Sequence, residues 1–284
     1  MTKYRSHYET LGEFITKAKG PGQHPQRKAS EDEDGDWAGT KTIGEAYNLV
    51  EKGWPEGRAL LMNAIAEASS TPTMLNAISM DVGGAYPIAA IAAAGDPLSM
   101  VNIEPIEDRV RPIVRLVVMR GGSAAYSAKE FTNYGAALLS YVEGLERLNF
   151  RVEITLCFCL NLDGGDTDNM SVTVKRAEEH VEFDRMAFVL AHPAFFRRIA
   201  FAVKERTPEV NEKLSWNYGI PRNPTAEEFD SNQILLPGVN MVKPKSNALK
   251  SPKACLEHLA PMIERQLKSA GMTPPPMAFA GESK

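Results

Sequence analysis

A glycine turn directly after an apolar run is the first place in this chain where chemistry is expected. Residues 121–123 read Gly-Gly-Ser and follow the β-branched run 111–119. Glycine backbones at the end of a strand can approach a phosphate group closely. Nucleotide-binding loops, however, have the pattern Gly-x-x-x-x-Gly-Lys-[Ser/Thr] or Gly-x-Gly-x-x-Gly, and this turn has neither. The turn therefore does not predict a nucleotide site.

The same turn occupies the position of a metal-dependent adhesion site of the von Willebrand A type. Such a site needs an aspartate at the strand end to ligate magnesium, because hard divalent cations prefer anionic oxygen ligands. Arg120 stands at that point, and its charge opposes a cation. The sequence therefore predicts no metal function there.

Nucleophilic and metal chemistry are equally poorly supported elsewhere in the chain. Cys157 and Cys159 lie within an apolar run, where buried and inert thiols are the usual case. His180 and His192 are candidate bases, but His192 precedes Pro193, which predicts that it lies at the start of a helix and has a structural role. No Gly-x-Ser-x-Gly elbow or zinc spacing occurs, and the acidic loop 163–169 does not fit an EF-hand. We expect no catalytic residue, no metal site and no cofactor, and hence a binding protein.

Cationic and aromatic side chains at strand ends are the best candidates for a ligand surface. Ligands of open α/β sheets bind at the carboxyl ends of the strands, where Arg120 and its neighbours are expected. Cations that follow phosphates, together with rings that stack on bases, suit single-stranded nucleic acid. The predicted contacts are Arg120, Tyr126, Lys129, Lys175 and Arg176, followed by Arg197, Arg198, Lys243, Lys245, Lys250 and Lys253.

A strand–helix–strand unit is predicted to position this surface. The run 111–119 resembles a buried strand, and Ser127 with Glu130 forms a capping box that begins a helix. Apolar residues then recur at three- and four-residue steps up to Leu148, and Asn149 ends the helix. Residues 151–160 alternate as a second strand, which predicts a parallel βαβ crossover.

The predicted fold is α/β, a mostly parallel central sheet with flanking helices in three layers. Its topology is expected to be Rossmann-like or a degenerate von Willebrand A-like one. We predict an N-terminal helix (1–19), a flexible acidic loop (20–36), the α/β core (37–207), and a C-terminal extension (208–284) with a basic stretch and a mobile tail.

Composition restricts the classes of protein that remain. A net charge of −4 argues against bulk attraction to nucleic acid, so binding would depend on a local basic patch. Three cysteines without secretory context favour reduced thiols inside a cell. We expect no signal peptide and no membrane span, since no stretch approaches about 20 apolar residues.

Several short segments together carry a family resemblance, which covers roughly residues 10–205. They are 37–40 with 45–46, 53–57 (Gly-Trp-Pro-Glu-Gly), 81–87 (Asp-Val-Gly-Gly-Ala-Tyr-Pro), 95–100, 134–137 with 145–146 and 151–153, and 192–198 (His-Pro-Ala-Phe-Phe-Arg-Arg). This set resembles a family of phage and prophage proteins that includes Drc, the single-stranded-DNA-binding RNA polymerase cofactor of enquatro-type podoviruses. No residue-level DNA motif is carried over from that family.

The resemblance implies a phage protein that binds single-stranded DNA and assists the phage RNA polymerase in transcription, in the cytoplasm of the infected bacterial host. The alternative from another class is a non-catalytic protein-interaction or virion module with a degenerate adhesion-type fold. An enzyme that uses the turn at 121–123 is a third hypothesis. The sequence leaves the oligomeric state open.

Overall fold

The structure is a computed structural model. It describes residues 2–21, 29–31, 35–68, 79–81, 86–87, 100–102, 111–122, 126–214, 218–239, 247–269 and 271–272. The chain divides into two compact units, the first formed by Met1–Ser70 with Ile113–Lys284 and the second by Thr71–Pro112.

The first unit contains a mixed six-stranded sheet. Its strands are β1 (Lys3–Tyr8), β5 (Ile113–Met119), β6 (Arg151–Asn161), β7 (Thr167–Lys175), β8 (Ile220–Pro221) and β9 (Gln233–Leu236). The order across the sheet is β1-β7-β6-β5-β9, and β8 pairs with the end of β6. The pairs β1–β7, β5–β6 and β5–β9 are parallel, whereas β6 runs antiparallel to β7 and to β8. The predicted α/β class with a mostly parallel sheet is confirmed.

The central βαβ unit forms as its sequence pattern predicts. Helix α5 (Ala128–Arg147) connects β5 to β6, and Ser127 caps it in a capping box with Glu130. Asn149 adopts the left-handed conformation (φ 66°) just after the helix, a conformation that asparagine tolerates better than most residues. The local signals that begin and end this helix are therefore sufficient to place it.

The remaining helices surround α5. They are α1 (Leu11–Lys19), α2 (Gly35–Ala38), α3 (Ile43–Lys52), α4 (Pro55–Ala68), α6 (Phe183–Ala191), a π-helical segment (Phe195–Ala200) that continues as α7 (Phe201–Glu205), α8 (Pro208–Asn211) and α9 (Pro252–Ser269).

All of these helices pack on one face of the sheet. The side chains of Leu116, Phe158 and Val172 point to this face and join the apolar residues of the helices in one core. Phe158 lies at its centre, stacked on Phe14 from α1 at 5.8 Å and on Phe196 at 6.2 Å between ring centroids. The dense aromatic contacts explain why this face excludes water.

The opposite face of the sheet carries no helical layer among the described residues. Its small apolar cluster joins Val117, Met119, Cys157 and Cys159 to Phe229 of the 222–232 segment. The predicted three-layer arrangement is therefore wrong for the described part of the chain, where one helical layer covers one sheet face. Polar alternation accompanies this arrangement along β7, where Asn169, Ser171 and Thr173 line the open face at every second position.

The sheet also extends beyond the predicted 37–207 core. β1 lies in the segment 1–19, which we predicted as a helix, so that prediction is wrong for residues 3–8 and correct for α1. β9 and α9 lie in the predicted C-terminal extension, yet Ile234 and Leu259 belong to the main core. The acidic loop 20–36 is described at 20–21, 29–31 and 35–36, and Ser30 in it is fully buried.

Helix α6 and the helix Phe195–Glu205 meet at a bend of 68°. Among the described residues no single helix is long and apolar enough to cross a membrane, and only this bent pair meets the criteria when its two helices are combined. The apolar residues of both helices are buried in the core.

The second unit contains a small antiparallel sheet of three strands, in the order β2-β4-β3. These strands are β2 (Ser79–Asp81), β3 (Tyr86–Pro87) and β4 (Met100–Asn102). β4 pairs with both neighbours, with Met80 opposite Val101 in one ladder and Tyr86 opposite Val101 in the other.

Candidate nucleic-acid interface

Arg120 is not at the sheet rim where the sequence placed it. Its side chain is 1% exposed and lies over the ring of Phe131 at 5.0 Å. The guanidinium donates to the carbonyl oxygens of Val189 (3.5 Å) and His192 (3.4 Å), at the carboxyl end of α6. Burial lowers the pKa of Arg120 to about 10, so the group stays charged at neutral pH. A cation suits this position because the last carbonyls of a helix carry partial negative charge.

Arg197 and Arg198 are also internal. Arg197 donates to the carbonyl oxygens of Tyr126 (2.8 Å) and Trp37. Arg198 donates to the carbonyl oxygens of Thr40 (2.6 Å) and Ser30 (3.1 Å). Both side chains are at most 1% exposed. The two arginines therefore fasten N-terminal loops to the helical layer.

Lys175 and Arg176 point to different environments. Lys175 is 2% exposed, forms an ion pair with Glu146 at 2.6 Å and donates to the carbonyl oxygen of Val152 at 2.7 Å. Arg176 is exposed and lies 3.6 Å from a carboxylate oxygen of Glu9. These residues do not form a common cationic rim with Arg120.

Five predicted contacts must therefore be corrected. Long cationic side chains were expected in solvent, but these four are buried and donate to backbone carbonyls and to one carboxylate, so binding a polynucleotide would require unpacking the core. Tyr126 is 6% exposed and has no free ring face for a base. The corrected residues are Arg120, Tyr126, Lys175, Arg197 and Arg198.

Three predicted lysines do lie together at the surface. The Asn133 side chain on α5 donates to the carbonyl oxygen of Leu249 at 2.8 Å, which joins the start of α5 to the segment that precedes α9. Lys129, Lys250 and Lys253 are exposed around this hydrogen bond, and we call them the lysine patch. Lys243 and Lys245 lie outside the described residues.

One acidic residue near the lysine patch, Glu130, caps helix α5. Glu130 accepts from the backbone nitrogen and the hydroxyl of Ser127, both at 2.8 Å, in the capping box of α5. Its carboxylate is therefore held at the helix start. Within the described structure, the patch is the part of the predicted surface in which several exposed lysines lie on segments joined to each other.

His192 is a buried structural residue. Its Nδ1 accepts a hydrogen bond from the backbone nitrogen of Ala194 at 3.1 Å, and its ring lies edge-on to Trp54 at 4.6 Å. Burial, and then the nearby charge of Arg120, lower the pKa of His192 to about 4. The imidazole is thus neutral at physiological pH and accepts rather than donates at Nδ1.

We expect His192 to make stability depend on pH. The unfolded chain binds a proton below about pH 6.5, whereas the folded protein resists protonation until about pH 4. The free energy of unfolding should fall as the pH drops from 6.5 to 4, by up to about 1.4 kcal/mol per pH unit. His192→Asn keeps an acceptor but not the titration. Urea unfolding between pH 7 and 4.5 should show a shallower pH dependence in the variant, and parallel curves would contradict this role.

A polar groove lies on the open sheet face and was missed by the sequence interpretation. It has a volume of about 620 Å³, and its lining includes Arg5, His7, Thr155, Asn169 and Asp230. These residues come from β1, β6, β7 and the 222–232 segment, so no local motif joins them. The polar alternation Asn169, Ser171, Thr173 along β7 was the available signal of a solvated face.

One wall of the groove is fixed by an ion pair. Glu228 accepts hydrogen bonds from both terminal nitrogens of Arg222, and the Thr225 backbone nitrogen donates to it at 2.8 Å. Burial alone would raise the pKa of Glu228, but these hydrogen bonds lower it to about 2. The carboxylate is therefore ionised and rigid.

Reactive groups are poorly placed for catalysis in the described structure. Cys157 and Cys159 are fully buried in β6, and burial raises the pKa of the Cys157 thiol well above its usual range. A raised pKa removes the thiolate that nucleophilic attack needs. The described residues also contain no cluster of three or more His, Cys, Asp or Glu side chains arranged to hold a metal ion.

Comparison with known proteins gives one match. No curated protein and no solved structure matches the chain. One family model, described as a domain of unknown function (DUF7192), matches residues 1–272 of the 284 in the chain. That match spans both units and the helical layer, and the chain therefore belongs to the DUF7192 family.

Proposed function

We propose that this protein binds single-stranded DNA without catalysing a reaction, and that it acts as a cofactor of a phage RNA polymerase in transcription. The resemblance of its segments to the phage family that includes Drc supports the role in transcription. The observation that carries DNA binding is the lysine patch of Lys129, Lys250 and Lys253, three exposed side chains on segments that the Asn133–Leu249 hydrogen bond joins.

The lysine patch gives this acidic protein a locally attractive surface. Lysine ammonium groups neutralise phosphates and release condensed counterions, which makes affinity depend on salt. Because Tyr126 is buried, we expect phosphate contacts rather than base stacking to dominate. Binding of this kind should tolerate any base sequence.

The test is a fluorescence anisotropy titration with a labelled 30-nucleotide oligo(dT). The triple variant Lys129→Gln/Lys250→Gln/Lys253→Gln should weaken binding at least tenfold at low salt. Each lost phosphate contact should reduce the slope of log affinity against log salt by about 0.7, so three should reduce it by about 2. The matched control is Lys41→Gln/Lys52→Gln/Lys213→Gln, which changes three exposed lysines elsewhere and should retain most of the affinity.

Two outcomes would contradict the proposal. One is wild-type affinity that does not change between low and high salt. The other is an equal loss of affinity in the patch variant and the control. A protein that binds no oligonucleotide but forms a stable complex with another protein would instead support the alternative, a non-catalytic interaction module.

A further inference from the structure

The polar groove on the open sheet face has the features of a second binding site. Its floor is formed by side chains of β1, β7 and β6 that point away from the helical layer, and its wall is the 222–232 segment. Arg5 donates to the carbonyl oxygen of Glu227 at 3.3 Å, which fixes this segment across the sheet. A volume of about 620 Å³ lies in the range of ligand sites.

The charge of the groove is predominantly negative. Five carboxylates line it, against the guanidinium groups of Arg5 and Arg176 and the imidazole of His7. Three of these carboxylates are paired, Glu228 with Arg222, Glu9 with Arg176 and Glu153 with Arg115, whereas no described residue forms an ion pair with Glu178 or Asp230. The two unpaired carboxylates therefore attract cationic groups.

The floor also offers hydrogen bonds that the protein does not use. Asn169 is 5% exposed, and its carboxamide oxygen accepts from the Cys159 thiol at 3.4 Å. No described residue accepts a hydrogen bond from its amide nitrogen, although the side chain lines the groove. Thr155 and Thr173 add a hydroxyl pair 3.4 Å apart. This amide donor faces the groove, where it is available to an acceptor on a ligand.

We propose that this groove binds an extended, basic segment of a partner protein. Alternate side chains of an extended peptide point the same way, so arginines at every second position can pair with the unpaired carboxylates of Glu178 and Asp230. Its backbone carbonyls supply acceptors for the amide of Asn169, which a free polyamine, having only donors, cannot do. The area, charge and donors of the groove thus match a peptide better than a small cation.

This inference goes beyond DNA binding and does not depend on it. The lysine patch lies on α5 and the start of α9, in the helical layer, whereas the groove lies on the other face of the same sheet. A basic peptide and a DNA strand could therefore be held at the same time. The two sites have opposite charge, so each excludes the ligand of the other.

The probe is a fluorescein-labelled octapeptide of alternating arginine and serine, titrated with the full chain. The variant Glu178→Gln/Asp230→Asn removes two exposed charges without breaking an ion pair within the described structure, and should weaken binding at least fivefold. The matched control Glu209→Gln/Glu212→Gln removes two exposed charges on and next to α8, and should bind as the wild type does. Thermal unfolding of both variants checks that the fold is retained.

Three results would overturn the proposal. They are no binding of the arginine peptide by the wild type, equal affinity in the groove variant, and displacement of the peptide by an equal concentration of spermine, which would assign the groove to a polyamine. Oligo(dT) separates this site from the DNA site, because we expect it to leave the peptide bound. The triple lysine-patch variant should lose DNA binding and should bind the arginine peptide as tightly as the wild type does.

Discussion

Replacing Gly135 with alanine should lower the free energy of unfolding by about 3 kcal/mol, at the upper end of the cost of overpacking a core. Gly135 lies on α5 where that helix crosses α6. A Cβ at this position would overlap the carbonyl oxygen of Leu190 and the Cα of Ala191. Both atoms belong to the backbone of α6, so a change of side-chain rotamer cannot relieve the overlap.

The same substitution elsewhere provides the control. Gly44 lies in α3, where an added Cβ meets only Thr42 Oγ1 at 3.7 Å. Gly44→Ala should stabilise the protein, by up to about 1 kcal/mol, because alanine is the better helix former. Guanidinium unfolding of the two variants measures both effects. Equal stability of the two variants would show that α5 and α6 are not in close contact.

Removing the buried charge of Lys204 should cost about 3 to 5 kcal/mol, the usual effect of breaking a buried ion pair. Lys204 on α7 pairs with Asp168 of β7, and the two side chains are 1% and 2% exposed. Lys204 also donates to the carbonyl oxygen of Phe158 at 3.2 Å. In Lys204→Met the Asp168 carboxylate would be left in the core without its cation.

A double variant separates the charge from the packing. Lys204→Met/Asp168→Asn removes both charges and should recover a large part of the lost stability, because the remaining amide is neutral. Urea unfolding of the single variants and the double variant gives the coupling energy. If the two single losses simply add in the double variant, the pair has no electrostatic role.

Local sequence signals predicted the elements of this fold well. The capping box at Ser127, the helix end at Asn149 and the alternation of 151–160 all correspond to what the structure shows. These features depend on neighbours within a few residues, which is what a sequence displays. β1 was missed because its six residues are mostly polar and pair only with β7, more than 160 residues away.

The interior location of the arginines was not visible in the sequence. Arg197 and Arg198 donate to carbonyl oxygens of residues 30, 37, 40 and 126, and only the folded chain brings those together. Every residue has a backbone carbonyl, so the residue types do not show which carbonyls will accept from an arginine. Two adjacent arginines on a helix are therefore predicted to be exposed to solvent. Lys129 and Lys250 are exposed, and no residue in the described part of the chain forms an ion pair with either, so their contact with DNA stays a prediction.

The groove was beyond sequence reasoning for a related reason. Its floor and wall unite residues as far apart as Arg5 and Glu227, joined by a hydrogen bond. The polar residues of β7 indicated an open sheet face, but which carboxylates surround it depends on the path of the 222–232 segment. Contacts between residues far apart in the chain therefore form the groove, whereas the helices and strands follow from the local periodicity of apolar residues.

The central claim is that the lysine patch, and not the buried arginines, contacts single-stranded DNA. Acetylation of lysines in the presence and absence of oligo(dT), read by mass spectrometry, tests it most directly. DNA should protect Lys129, Lys250 and Lys253 and leave Lys41, Lys52 and Lys213 as reactive as in the free protein. Protection that is uniform over the surface, or absent from these three lysines, would contradict the claim.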